Sequence, residues 1–135
     1  MRAYFGRRYL LSASHRLHTT ALGPDENRAV YGKCNNPYGH GHNYVIEVLT
    51  GGPVDPETGM VVNLTVLDEA VRRRVLDRFD HANLNLDPIF ANRVPTTENL
   101  CEAVFQLLQG AVAPAEVVKV RVEETENNFF EYGGA

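Results

Sequence analysis

The sequence predicts an α+β fold, in which an antiparallel sheet carries its helices on one face. Two stretches of alternating apolar and polar residues lie near the amino terminus, and two more lie near the carboxyl terminus. Two amphipathic helical stretches separate these pairs. The links between the strands are short and rich in Gly, Pro and Asn, which is typical of hairpins. Since hairpins join antiparallel strands, we expect an antiparallel sheet within a single domain over residues 1–135.

Composition excludes several classes of protein. The chain of 135 residues is 44% hydrophobic and 22% charged, as in soluble globular proteins. A net charge of −4 disfavours a nucleic-acid partner. No apolar run approaches the roughly 20 residues of a membrane span, and arginines interrupt the first eight residues, so we expect neither a membrane segment nor a signal peptide. Two cysteines cannot build a disulfide framework, and we expect a cytoplasmic protein.

The first half of the chain predicts two strands. Residues 3–15 alternate, with His15 near the end of the more apolar face. Residues 17–33 are polar and irregular, with a turn or short helix start at 23–26. A second strand runs from about residue 42 to 50, a Gly- and Pro-rich loop follows, and residues 60–62 resume extended structure.

The second half predicts two helices and two strands. Asn63 suits the cap of a helix that runs to about Phe79. Residues 80–95 form a long loop, which in a compact domain is more often functional than not. A second helix begins near Thr96 or Thr97, whose hydroxyls suit a cap. The last two strands cover residues 116–124 and 128–132.

The histidines predict a metal site. His40 and His42 lie two apart on a strand and therefore point to the same face. With His15 they offer three imidazoles, and a three-His zinc site keeps its fourth position open for water or substrate, as catalytic zinc does. Alternatively, Cys34 fills the fourth position and the site is structural; the spacing leaves both readings open. His18 occupies an even-numbered position, unlike His15, and lies in the polar segment, so we expect it to be the weaker candidate ligand.

An acid–base pair follows the first helix. Asp80 could orient the imidazole of His81 and set its tautomer, as in a general acid–base unit. Such a unit could activate Cys34 if the fold brings the thiol close. In the alternative interpretation, His81 interacts only with the dipole at the end of the helix. Cys101, inside the second helix, is expected to be a packing residue.

Glu124 lies on the face of its strand that is otherwise apolar, where an unpaired carboxylate is costly. The strand could end before this residue, or the acid could meet an arginine. A third possibility is a ligand with several N–H donors, such as the guanidine-like edge of a heterocycle. The pattern alone leaves these three open.

Six sequence blocks cover nearly the whole chain. They are Ser-Ala-Ser-His-Arg at 12–16, the Cys-Asn-Asn and Gly-His-Gly-His run at 32–44, Gly-Met-Val-Val-Asn-Leu at 59–64, Asp-His-Ala-Asn-Leu-Asn at 80–85, Thr-Thr-Glu-Asn at 96–99 and Glu-Thr-Glu-Asn-Asn at 124–128. Together, and in this order, these blocks resemble the 6-pyruvoyltetrahydropterin synthase family. One departure is Val66, where the family commonly has an acidic residue; we expect it to affect the start of the helix and not the chemistry.

The resemblance implies the T-fold, a four-stranded antiparallel sheet with two helices packed on one face. It also implies that three subunits close their sheets into a barrel and that two trimers stack into a homohexamer, with active sites at subunit interfaces. Barrel closure would remove the exposed edges of a small sheet.

The resemblance further implies a function and a role for each candidate residue. The substrate would be 7,8-dihydroneopterin triphosphate, and the enzyme, a carbon–oxygen lyase, would eliminate triphosphate and rearrange the side chain to give 6-pyruvoyltetrahydropterin. Zinc is the implied cofactor, with magnesium as a companion of the triphosphate. The implied roles are zinc ligation by His15, His40 and His42; proton transfer by Cys34, activated by Asp80 and His81 from the same or a neighbouring subunit; and pterin binding by Glu124, with Thr96, Thr97 and Glu98 nearby.

Two other functions compete. The 6-carboxytetrahydropterin synthases of queuosine biosynthesis act on the same substrate, but they usually place the cysteine closer to the His-x-His pair. Here five residues separate Cys34 from His40 and two asparagines follow the cysteine, which resembles the pyruvoyl-forming type. A non-catalytic, zinc-stabilised pterin-binding oligomer is the second alternative, and the presence of Cys34, Asp80 and His81 disfavours it.

Overall fold

The computed structural model describes residues 1–134, which form an α+β structure. The chain alternates long strands with helices and short helical turns. In chain order the elements are β1 (Arg2–His15), α1 (Pro24–Tyr31), a 3-10 turn (Gly32–Asn35), β2 (His40–Pro53), α2 (Leu64–Val71, continued by a π-helical turn Arg72–Leu76 and by Asp77–Phe79), β3 (Ala82–Asn83), 3-10 turns (Leu84–Leu86 and Pro88–Phe90), α3 (Thr97–Leu108), β4 (Glu116–Thr125) and β5 (Asn128–Tyr132).

The strands form one sheet of five in the order β3-β1-β2-β4-β5. The four longer strands are antiparallel, as predicted, and β1 pairs with β2 along its whole length. The predicted sheet was incomplete, because β3 adds a fifth strand that runs parallel to β1 and makes the sheet mixed. Strand β3 has only two residues, too few to show alternation, and it lies inside the segment 80–95 that the sequence predicts as a loop.

The core fills the space between one sheet face and the helices. Alternate residues of β2, from Tyr44 to Val48, are fully buried, and so are Val120 and Val122 of β4. Each helix contributes one apolar stripe, as the 3.6-residue period predicts. These stripes are Leu67, Val71, Val75 and Phe79 of α2, and Leu100, Val104 and Leu108 of α3. No helix within residues 1–134 is both long and apolar enough to span a membrane.

Several predicted boundaries agree with the structure. Asn63 caps α2, its side chain accepting from the N–H of Val66, and Thr96 caps α3 by accepting from Asn99. Val66 thus lies in the first turn of α2, as expected. Two predictions were wrong or incomplete: residues 60–62 form no strand, and residues 24–31 form a complete helix, α1, with Pro24 at its first position.

Candidate metal centre

Four side chains offer metal-binding atoms at one end of the sheet. His15, Cys34, His40 and His42 each present one such atom, and these atoms all lie within 4.8 Å of one another. The register of β1 with β2 produces most of this cluster, since His15 pairs with His40 and Ala13 with His42. The predicted same-face pair and its third imidazole therefore come together.

The environment of His15 fits a metal ligand. Its Nδ1 lies 2.9 Å from the carbonyl oxygen of Pro95 and 3.3 Å from the hydroxyl of Tyr44. When Nδ1 carries the ring proton and donates it in a hydrogen bond to the Pro95 carbonyl, the lone pair that can bind a metal is on Nε2. That Nε2 is buried and, among residues 1–134, has no hydrogen-bond partner. Because an unpaired buried polar atom is costly, a metal ion would supply the partner that Nε2 lacks.

The spacing and type of the donors suit zinc. The Nε2 atoms of His40 and His42 are 3.2 Å apart, and the Nε2 of His40 is 3.0 Å from the Sγ of Cys34. Ligands about 2.0–2.1 Å from a tetrahedral zinc ion are about 3.3 Å apart. Imidazole nitrogen and thiol sulfur favour zinc over magnesium or calcium, which prefer oxygen. The geometry allows Cys34 either as a fourth ligand or as a group beside an open position.

Burial sets the protonation of the cluster. It lowers the pKa of His15 and of His42, an effect that Glu124 partly opposes at His42. Both imidazoles are therefore favoured in the neutral form that binds metal. Burial also raises the pKa of the Cys34 thiol, and the nearby Glu124 raises it further. Both effects favour the thiol form of Cys34 within one chain, and a nearby positive charge would favour the thiolate.

Glu124 lies beside the metal cluster. Its Oε1 is 3.1 Å from the Nε2 of His42, and its Oε2 accepts a hydrogen bond from the hydroxyl of Thr97. The strand continues to Thr125, and within residues 1–134 no arginine forms an ion pair with this acid. Two of the three explanations left open by the sequence are thus removed. The carboxylate is 17% exposed and can be reached by a ligand in the cluster.

The residues at the start of α3 differ in their contacts. Thr97 is buried and contacts Glu124, so it lies in the site. The hydroxyl of Thr96 is occupied by its capping bond, and Glu98 is exposed in the first turn. The structure therefore brings only Thr97 of this predicted group into contact with the acid.

Asp80 and His81 dock on β1 instead of on the thiol. A carboxylate oxygen of Asp80 accepts from the N–H of Ser12, and the N–H of His81 donates to the Ser12 carbonyl. His81 has a φ of 58° and its side chain is 82% exposed. The Nε2 of His81 is 3.7 Å from Asp80 Oδ2, yet within residues 1–134 no hydrogen bond or ion pair joins either residue to Cys34. The predicted contact with Cys34 is not made inside one chain.

Two asparagines that sequence reasoning missed, the exposed Asn85 and the buried Asn35, fix the backbone next to the cluster. Asn85 donates to the backbone carbonyl of Arg16 and accepts from its N–H, which fixes the residue after His15. Asn35 donates to the carbonyl of Leu17, whose N–H in turn donates to the Cys34 carbonyl. Both asparagines lie in the motif blocks, but the sequence offers no pattern that predicts their partners. His18 lies outside the cluster, with its Nδ1 3.1 Å from the Asn35 amide.

Comparisons with known proteins agree with this geometry. The sequence model of the 6-pyruvoyl tetrahydropterin synthase family matches residues 5–135. A 6-pyruvoyl tetrahydrobiopterin synthase of Poecilia reticulata is 46% identical over 132 residues, which is 97% of this chain and 90% of the relative. A putative 6-carboxy-5,6,7,8-tetrahydropterin synthase of Archaeoglobus fulgidus is 39% identical over 92 residues, 68% of this chain and 73% of the relative.

A solved structure gives the same result for the fold. The 6-pyruvoyl tetrahydropterin synthase of Caenorhabditis elegans superposes with a TM-score of 0.93 at 40% identity, covering 100% of this chain and 97% of the other. The match of the family model over nearly the whole sequence agrees with that superposition. The chain therefore belongs to the 6-pyruvoyl tetrahydropterin synthase family.

Proposed function

We propose that the protein is a zinc-dependent carbon–oxygen lyase that converts 7,8-dihydroneopterin triphosphate to 6-pyruvoyltetrahydropterin with elimination of triphosphate. One observation carries the proposal: the unpaired, buried Nε2 of His15 faces a cluster that also holds Cys34 and contacts Glu124 through His42. Metal ligands, a proton acceptor and an acid that can hold a heterocycle thus occupy one site.

Each residue has a distinct role in this proposal. His15, His40 and His42 would hold zinc, which when bound supplies a Lewis acid for the hydroxyl groups of the substrate side chain. Glu124 accepts N–H bonds from the pterin edge, and Thr97 orients the carboxylate by donating to its Oε2. The Sγ of Cys34 accepts protons from the side-chain carbon atoms, next to the ligand His40.

The activating pair would come from a second subunit. Asp80 and His81 lie on β1 with the His81 imidazole exposed, which leaves it free to reach a neighbour. A protonated imidazole near Cys34 would lower the pKa that burial raises. The proposed assembly is a homohexamer, a dimer of trimers whose sheets close into a barrel, and closure would cover the outer edges of β3 and β5. Magnesium would accompany the triphosphate.

The 6-carboxytetrahydropterin synthase function is the second candidate. The match to the putative carboxy-type relative favours it, but that match covers 68% of the chain against 97% for the pyruvoyl-type relative. A zinc-stabilised, non-catalytic pterin binder is the third. The free thiols of Cys34 and Cys101 support the cytoplasm as the proposed compartment, because free cysteines persist in reducing surroundings.

The decisive experiment identifies the product. The purified, zinc-loaded protein is incubated with 7,8-dihydroneopterin triphosphate, and the pterins are resolved by liquid chromatography and mass spectrometry. We expect 6-pyruvoyltetrahydropterin together with free triphosphate. A 6-carboxy product would establish the alternative enzyme, and unchanged substrate with bound zinc would establish the non-catalytic binder.

A further inference from the structure

A cavity of about 430 Å³ is lined by residues that precede and follow Cys34 in the sequence. Three of its lining residues are cationic and none is acidic. The lining residues are Arg16, Arg28, Gly32, Lys33, Asn35, Asn36, Pro37 and His40. A concave site with an excess of positive charge attracts anions.

Few carboxylates neutralise these cations. Within residues 1–134, only Arg28 of the three forms an ion pair, and its partner Asp25 has a side chain that is 94% exposed. Arg16 uses its Nε to donate to the carbonyl of Asn35, so its remaining N–H groups are available. The Arg28–Asp25 ion pair is weak, since both side chains are exposed and solvent screens their charges. The cavity therefore keeps most of its positive charge.

The cavity adjoins the metal cluster. His40 lines it and also lies 3.0 Å from Cys34 in the cluster. Lys33 and Asn35, the two neighbours of Cys34 in sequence, line the cavity as well. The 3-10 turn Gly32–Asn35 thus contributes residues to both the cavity and the metal cluster. A ligand with one end at the metal and a charged tail could occupy both.

We propose that this cavity binds the oligophosphate tail of the substrate through Lys33, Arg28 and Arg16. The inference rests on the proposed function, which supplies a substrate with a heterocycle at one end and a triphosphate at the other. Guanidinium groups bind phosphate oxygens in bidentate geometry, and the lysine ammonium adds a point charge. The phosphates would then bind beside the metal ligand His40, and the heterocycle would bind beside the metal ligand His42.

The test separates the tail from the rest of the substrate. Lys33→Met and Arg28→Met each remove one exposed cation, whereas Arg16 also supports Asn35 and is left intact. Arg73→Met removes an exposed cation of α2, paired with Glu69, and is the matched control. Calorimetry measures the binding of inorganic tripolyphosphate, added as its magnesium complex, and of neopterin, which lacks phosphate. Steady-state kinetics measures KM for dihydroneopterin triphosphate.

We expect each cavity variant to weaken tripolyphosphate binding and to raise KM about fivefold or more, with the double variant weaker still. Neopterin binding, and all values of the control, should match the wild type. Unchanged tripolyphosphate binding in the double variant would overturn the inference, even if turnover is found. Lys33-dependent binding of tripolyphosphate without turnover would uphold the cavity as an oligophosphate site while the proposed function fails.

Discussion

Glu124 and His42 are in direct contact, with Oε1 of the acid 3.1 Å from Nε2 of the imidazole. This contact requires a proton on Nε2, and an imidazole nitrogen that binds a metal cannot carry one. Zinc binding would therefore replace the hydrogen bond and leave Oε1 able to accept from a substrate N–H. In the proposed function, metal and heterocycle binding would thus be coupled through one imidazole.

Glu124→Gln tests the role of the acid. We expect KM for dihydroneopterin triphosphate to rise about 10- to 100-fold, because an amide loses the charge-assisted bonds to the N–H donors. Glu123→Gln is the matched control, since Glu123 is adjacent in sequence and its carboxylate pairs with Arg121. Steady-state kinetics of both variants checks the prediction, and equal effects would refute a specific role for Glu124.

Substitution of Thr96 should affect mainly stability, and substitution of Thr97 should affect mainly catalysis. Thr96→Val removes the cap of α3 and should lower the free energy of unfolding by about 1 kcal/mol with little change in KM. Thr97→Val removes the donor to Glu124 and should lower kcat/KM about tenfold. Urea denaturation and kinetics on the same two samples check both values. A kinetic defect in the Thr96 variant that equals that of the Thr97 variant would contradict this division.

The zinc content of two histidine variants tests the ligand set. His15→Ala should lower zinc affinity at least about tenfold, because it removes a metal-binding nitrogen whose ring is already oriented by the Pro95 carbonyl. His18→Ala is the control, since its ring contacts Asn35 and lies outside the cluster. Competition with a chelator, read by elemental analysis, measures both. Retention of wild-type affinity by the His15 variant would remove this residue from the ligands.

Asp87 should contribute stability that depends on pH. Arg78 binds the carboxylate with two hydrogen bonds and holds its pKa below the usual range. That stability is complete above the unfolded pKa, about 3.9, and is lost as the pH falls through the lower folded pKa. We expect Asp87→Asn to cost about 1–3 kcal/mol at neutral pH and less near pH 3, where part of this stability is already lost.

The control for that prediction is Asp77→Asn. Asp77 pairs with Arg72 at 3.1 Å, but both side chains are more than half exposed, so we expect a cost of about 0–1 kcal/mol. Urea unfolding at the two pH values measures both variants. A cost for Asp87→Asn that does not shrink in acid would show that the ion pair is not its source.

The features that depend on residues close together in the sequence could be predicted from it. Strand β5 and the length of α2 follow from alternation, amphipathic spacing and the Asn63 cap. The pairing of His40 with His42 follows from the two-residue period of a strand. A turn or short helix start was predicted at residues 23–26, but the full length of α1 was not, because most of the helix is exposed and Asn27 is its only buried residue.

Contacts between distant residues could not be predicted in this way. His15 and Pro95 are 80 residues apart, and only the pairing of strands and the docking of α3 bring them together. The same holds for Glu124 and His42, which lie on β4 and β2. The sequence suggested Cys34 as the partner of Asp80 and His81, whereas the docking of this segment on β1 depends on the parallel pairing of β3 with β1, which local patterns do not predict.

The most direct test measures zinc content and turnover of Cys34→Ala in parallel. The account predicts one zinc ion per chain, as in the wild type, with turnover of dihydroneopterin triphosphate reduced about 100-fold or more, because the proton acceptor is gone while three imidazoles still hold the metal. Loss of zinc together with the thiol would show that Cys34 is a structural ligand, and wild-type turnover would show that it is not the base; either result contradicts the account.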